Sequence, residues 1–205
     1  MKKQILVLYS GHQYDYLYGL LTALRNLKDT DFIIIDSVRY GDEEKKKVIS
    51  PNIQVIPAID KSKIGRISFG IELIKYYSLL IYHVAMSPAQ VIHIEWFNYI
   101  SIKFEEFLIP TVAKLFGKKI LYKVHDLSKE KLLSDGSSKV ISEMTPTRRY
   151  FFNRVDKFIV HNKYMRNLLH ANGVKPDRIK IIYHGVNNYA ENLNIGSLFA
   201  RTSLH

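Results

Sequence analysis

Lys118-Lys119-Ile120-Leu121-Tyr122-Lys123-Val124-His125-Asp126-Leu127-Ser128 is the stretch whose reading decides the fold. Ile120 to Val124 is a largely apolar run of strand length, and it stops at a histidine and an aspartate. Apolar character on both faces is what a strand inside a helix-covered parallel sheet requires. Ligands of such sheets bind in the crevice beyond the carboxyl ends of the strands. His125-Asp126 is therefore a site candidate from its place alone.

The same pattern recurs on either side. Gln4–Ser10, Asp31–Asp36, Asn52–Pro57, Gln90–Trp96, Asp156–Val160 and Arg178–Tyr183 read as further strands. Between them, apolar residues at helical spacing predict helices over Tyr14–Leu27, Phe69–Met86, Ile100–Leu115, Thr145–Arg154 and Asn162–Ala171. Thr145-Pro146 is an N-cap followed by proline at the first helical position. Asn162 is a second cap, and Gly117 and Gly173 suit helix C-termini. Ser128 to Ser138 reads as a polar loop with an Asp135-Gly136 turn. Alternating strands and helices predict an α/β fold, a doubly wound and mainly parallel Rossmann-like sheet with helices on both faces. Residues 1–186 would form that domain, and 187–205 a tail or the start of a linker.

The chain has 205 residues, 47% of them hydrophobic and 24% charged, enough to bury a real core. It has no cysteine, which excludes disulfides and thiolate metal sites and is compatible with the cytoplasm. The N-terminal Met1-Lys2-Lys3 precedes an apolar run, but no small-residue cleavage site follows, so the run reads as a strand. Phe69–Met86 is apolar on more than one side. Glu72, Lys75 and His83 argue against a bilayer span, and the expectation is a helix buried on two sides or partly facing lipid. The net charge of +11 suits an anionic membrane surface, a phosphorylated substrate or nucleic acid. With no recognisable DNA- or RNA-binding module, nucleic acid ranks below the other two.

Polar residues gather where the strands end: Gly11 and His12, Glu95 and Trp96, His125 and Asp126, His161 and Asn162, and His184 and Gly185. Gly11 suits a tight turn and, less readily, a phosphate at a helix N-terminus. Glu95 and Trp96 either close a strand or touch substrate. His93, inside its strand, reads as a packed histidine. The imidazole of His125 can move a proton near neutral pH or hold a hydroxyl. Asp126 either orients it or is itself the base, and both roles stay open. Arg148-Arg149 is a candidate for a phosphate or anionic head group, with Tyr150, Phe151 and Phe152 beside it suited to a membrane surface. No spacing of His, Asp or Glu suggests a metal.

Three passages together carry a family resemblance: Gln90–Trp96, Ile120–Leu127 and Asp156–Val186. In order and spacing the chain resembles the N-terminal, acceptor-binding domain of GT-B retaining glycosyltransferases of the group 1 or family 4 type. The resemblance implies a nucleotide sugar as donor substrate, no metal cofactor, and an acceptor near His125 and the Gly11 loop. Gly11, His12, Glu95, Trp96, Arg148 and Arg149 would line the acceptor side, with His184 and Gly185 on the donor side. It also implies a donor-binding half, which no part of residues 1–205 resembles and which a longer chain or a partner would supply. The expected role is in polysaccharide or glycolipid assembly on a sugar or lipid-linked acceptor, peripheral on the cytoplasmic face of the membrane. A non-catalytic recruiting subunit of a split transferase is the alternative.

Overall fold

A computed structural model describes residues 2–9, 14–36, 50–57, 66–95, 97, 104–125, 128–132, 138–142 and 144–183. Its strands are β1 (Lys3–Tyr9), β2 (Thr30–Asp36), β3 (Ile53–Pro57), β4 (Val91–Ile94), β5 (Lys119–Lys123), β6 (Ser128–Leu132), β7 (Ser138–Ser142), β8 (Lys157–Val160) and β9 (Ile179–Ile181). Its α-helices are α1 (Tyr14–Leu24), α2 (Arg66–Met86), α3 (Glu105–Leu115), α4 (Pro146–Arg154) and α5 (Lys163–Ala171). Seven strands pair in one sheet of order β3-β2-β1-β4-β5-β8-β9. Every pairing within it is parallel. The expected Rossmann-like sheet is the fold observed.

Strand order explains which face each helix covers. The connections from β1 through α1 to β2 and from β2 to β3 step outward one way, and every connection from β3 onward steps the other way. Right-handed connections then place α1 on one face and the later helices on the opposite face. The side chains of β1 divide accordingly. Leu6 and Leu8 join a core with Leu80 and Val84 of α2, Ile109 and Ala113 of α3, Phe151 of α4 and Leu169 of α5. Val7 and Tyr9 pack on the other face with Leu21 of α1 and with Ile34 and Ile53.

Local chemistry fixes the helix ends as the sequence predicts. The Arg148 backbone N–H donates to Thr145 Oγ1 at 3.2 Å, with Pro146 opening α4. Asn162 caps α5 by accepting from the Met165 N–H at 2.7 Å. Gly117 and Gly173 follow α3 and α5 at φ of 67° and 88°, a left-handed conformation that costs glycine no Cβ clash.

One expectation changes, and of the two alternatives for α2, burial on both sides drops out. The polar loop after β5 contains a two-stranded antiparallel hairpin, with Lys129 opposite Ile141 and Lys131 opposite Lys139. Its strands are short and charged and carry no apolar run, so periodicity did not reveal them, although Asp135-Gly136 is a hairpin turn signal. The α2 helix buries one side only. Tyr76, Leu80 and Val84 face the core, while Ile74 is 69% exposed and Met86 64%. Among the described residues no helix is long and apolar enough to cross a membrane. The Asp135-Gly136 turn and the 187–205 tail lie outside the described residues.

Candidate functional site

Sheet order reverses at β1, so the crevice expected of an open parallel sheet lies beyond the carboxyl ends of β1 and β4. Glu95 is the first residue past β4, and its backbone N–H still donates to Leu8 O at 2.9 Å. This bond holds Glu95 against β1 at the reversal point, with only 2% of the residue exposed.

Alternation along the strands gathers three basic side chains around that carboxylate. His93 and Glu95 are two residues apart on one strand, as Lys123 and His125 are on the next, so all four project from the same face. His93 Nε2 lies 3.2 Å from Glu95 Oε1. Lys123 Nζ is 3.4 Å and His125 Nε2 3.7 Å from Glu95 Oε2. The His161 ring, just past β8, lies 5.7 Å from that of His125.

A carboxylate this buried needs cationic or hydrogen-bonding partners to offset lost hydration. The cluster supplies them, and His93 and Lys123 bear the cost of burial. Desolvation lowers the His93 pKa most, with His125 adding to the effect and Glu95 opposing it. Burial brings the Lys123 amine down to about 8. The result is a compact, nearly dry set of proton carriers at the sheet edge where ligands of this fold class sit.

Of the residues proposed from sequence, the structure brings Glu95 and His125 together. Gly11, His12, Trp96, Asp126, His184 and Gly185 lie outside the described residues. Arg148 and Arg149 are on α4 and do not act as a pair. Arg148 is only 4% exposed, and its Nε donates to Glu106 Oε1 of α3 at 3.0 Å. Its guanidinium is committed to the helix interface, so it does not present itself to a head group, whereas Arg149 is exposed. Phe151 and Phe152 are core residues as well. Sequence reasoning missed Lys123 and read His93 as simple packing. The period-two match between positions 93 and 95 and positions 123 and 125 was the signal that both share a face with the candidate residues. Among the described residues no group of three His, Cys, Asp or Glu side chains is arranged to hold a metal ion.

Known proteins share this architecture. A structure of sucrose-phosphate synthase from Thermosynechococcus elongatus is similar at a TM-score of 0.52 and 19% identity, over 97% of this chain and 98% of that one. A glycosyltransferase from Rickettsia africae gives 0.57 and 16%, over 91% of this chain and 44% of that one. The UDP-GlcNAc 2-epimerase of Methanocaldococcus jannaschii gives 0.54 and 12%, over 87% and 45%. The chain thus spans less than half the length of the latter two, and at these identities the likeness is one of fold. No curated protein sequence matches the chain. The family model for Glycosyltransferase Family 4 matches residues 15–188, most of the length. The chain belongs to glycosyltransferase family 4, with the fold of a GT-B N-terminal domain.

Proposed function

We propose that the chain is the acceptor-binding half of a nucleotide-sugar-dependent glycosyltransferase, acting at the membrane surface on a growing polysaccharide or a lipid-linked sugar. Family membership supports glycosyl transfer over the epimerase chemistry of the structural neighbours. The observation that carries the acceptor role is the Glu95–Lys123–His125 cluster at the reversal point of the sheet.

In this reading His125 contacts the acceptor hydroxyl. Its Nε2 lies 3.7 Å from Glu95 Oε2, an electrostatic contact longer than a hydrogen bond, so this contact does not fix which nitrogen the ring offers to the acceptor. Lys123, 3.4 Å from the same carboxylate, offsets its charge. Asp126, next in sequence, supports the ring or takes the proton itself. The donor nucleotide sugar would be held by a donor-binding half closing over this edge, orienting both substrates and excluding water.

The test is turnover of the complete enzyme, donor-binding half included. His125→Ala is expected to lower kcat by roughly 10²–10⁴-fold, the range of general acid–base catalysis, with folding intact by circular dichroism. Near-normal turnover would remove His125 from the mechanism.

A further inference from the structure

We propose that the outer face of the α2–α3–α4 layer docks on an anionic lipid bilayer. This deepens the membrane part of the reading above and does not depend on its catalytic part. On α2, Ile71, Ile74, Ile81, Tyr82 and Met86 are exposed by 53, 69, 38, 60 and 64%. They recur at helical spacing on the side away from Tyr76, Leu80 and Val84, where a surface helix ordinarily carries charge. On α3 and its ends, Phe104, Phe107, Leu115 and Phe116 are exposed by 45, 45, 78 and 52%.

Ring contacts link the helices that carry these stripes. Tyr77 of α2 meets Phe104 edge-on at 5.4 Å. Phe107 lies 4.9 Å from Tyr150 of α4, and the Arg154 guanidinium sits 3.5 Å over the Tyr150 ring. Exposed apolar side chains gathered on neighbouring, contacting helices mark an interaction site.

Charge selects the occupant. Lys75, Arg149 and Arg154 are exposed or half-buried on these helices, and Lys114 is paired with Asp156 at 2.6 Å. The three helices carry the carboxylates Glu72, Glu105 and Glu106; the latter two are buried, and Glu72 is paired with Lys75 at 2.7 Å. A second copy of the chain facing this surface would set arginine against arginine. Anionic lipid offers apolar depth and negative head groups together. The α3 helix begins at the carboxyl edge of the sheet, so Phe104 and Phe107 lie toward the edge that carries Glu95 and His125. A lipid-borne acceptor would need little reach.

Co-sedimentation of the 205-residue chain with phosphatidylcholine vesicles, with and without phosphatidylglycerol, tests this. Binding should require phosphatidylglycerol. The Ile74→Glu/Tyr82→Glu double variant should partition about ten-fold less or weaker still, and Arg149→Glu several-fold less, with thermal midpoints unchanged. Absence of binding to phosphatidylglycerol vesicles, or equal binding by the double variant, overturns the proposal. A dimer by light scattering that the double variant dissolves, without vesicle binding, would make the face a self-interface instead and overturn it too. None of these outcomes depends on whether His125→Ala is active, so failure of the catalytic reading would be seen separately.

Discussion

Lys123 is the last residue of β5, where the sequence pattern would place an apolar residue, and Glu95 is what makes a cation tolerable there. Burial still wins over the pairing, because the amine is brought from 10.5 to about 8. Between those two values the unfolded chain keeps the proton and the folded chain does not. Stability therefore rises with pH across that window, and the cost of burying the charged amine is fully present below about 8. Thermal unfolding of wild type and Lys123→Met in matched buffers should show the wild type gaining on the variant from pH 8 to 10, by at most about 1.4 kcal/mol per pH unit. Parallel curves would mean the amine is not desolvated as the structure implies. The site was half legible in the sequence for a related reason. His125 and Glu95 stand at strand ends, where polar residues are conspicuous. His93 and Lys123 lie inside strands, where only the strand register shows that they face the same carboxylate.

The α3–α4 contact raises a similar question between elements. Glu106 and Arg148 are buried with side-chain exposures of 0 and 5%, and Thr147 Oγ1 also reaches Glu106 at 3.4 Å. Breaking such a pair strands a charge in the interior, whereas replacing both partners with apolar residues is close to neutral. Arg148→Met is expected to destabilise the fold by about 3–5 kcal/mol in urea unfolding, and Glu106→Leu/Arg148→Met to recover most of that loss. Equal losses in the two would show that the charges are not coupled. Most elements were readable because their signals are local: the Thr145 and Asn162 caps, and the glycines at 117 and 173. The inward turn of Arg148 was not readable. On α4, basic and aromatic residues are adjacent, so helical phase alone does not show which faces α3. The hairpin was hidden because neither of its strands is apolar.

At the scale of the whole molecule, two cores meet on β1, which sends Leu6 and Leu8 to one and Val7 and Tyr9 to the other. The fold class was legible because the buried strands are mostly apolar runs. The second apolar side of α2 was legible too, but periodicity cannot tell a covered face from an open one and so left burial on two sides and partial exposure to lipid both standing. The strand order also has a consequence in time. Of the sheet strands described, β1 is made before the others and becomes an interior strand. It pairs with β2 early but gains its other neighbour, β4, only once Val91–Ile94 have been made. Until then its second edge is an open template for wrong pairing. Chains stalled before β4 emerges are expected to be cut within β1 by added protease, and chains stalled just after it to be protected. Each later strand of the sheet is laid down beside one already in place, so synthesis order and spatial order coincide from β4 to β9.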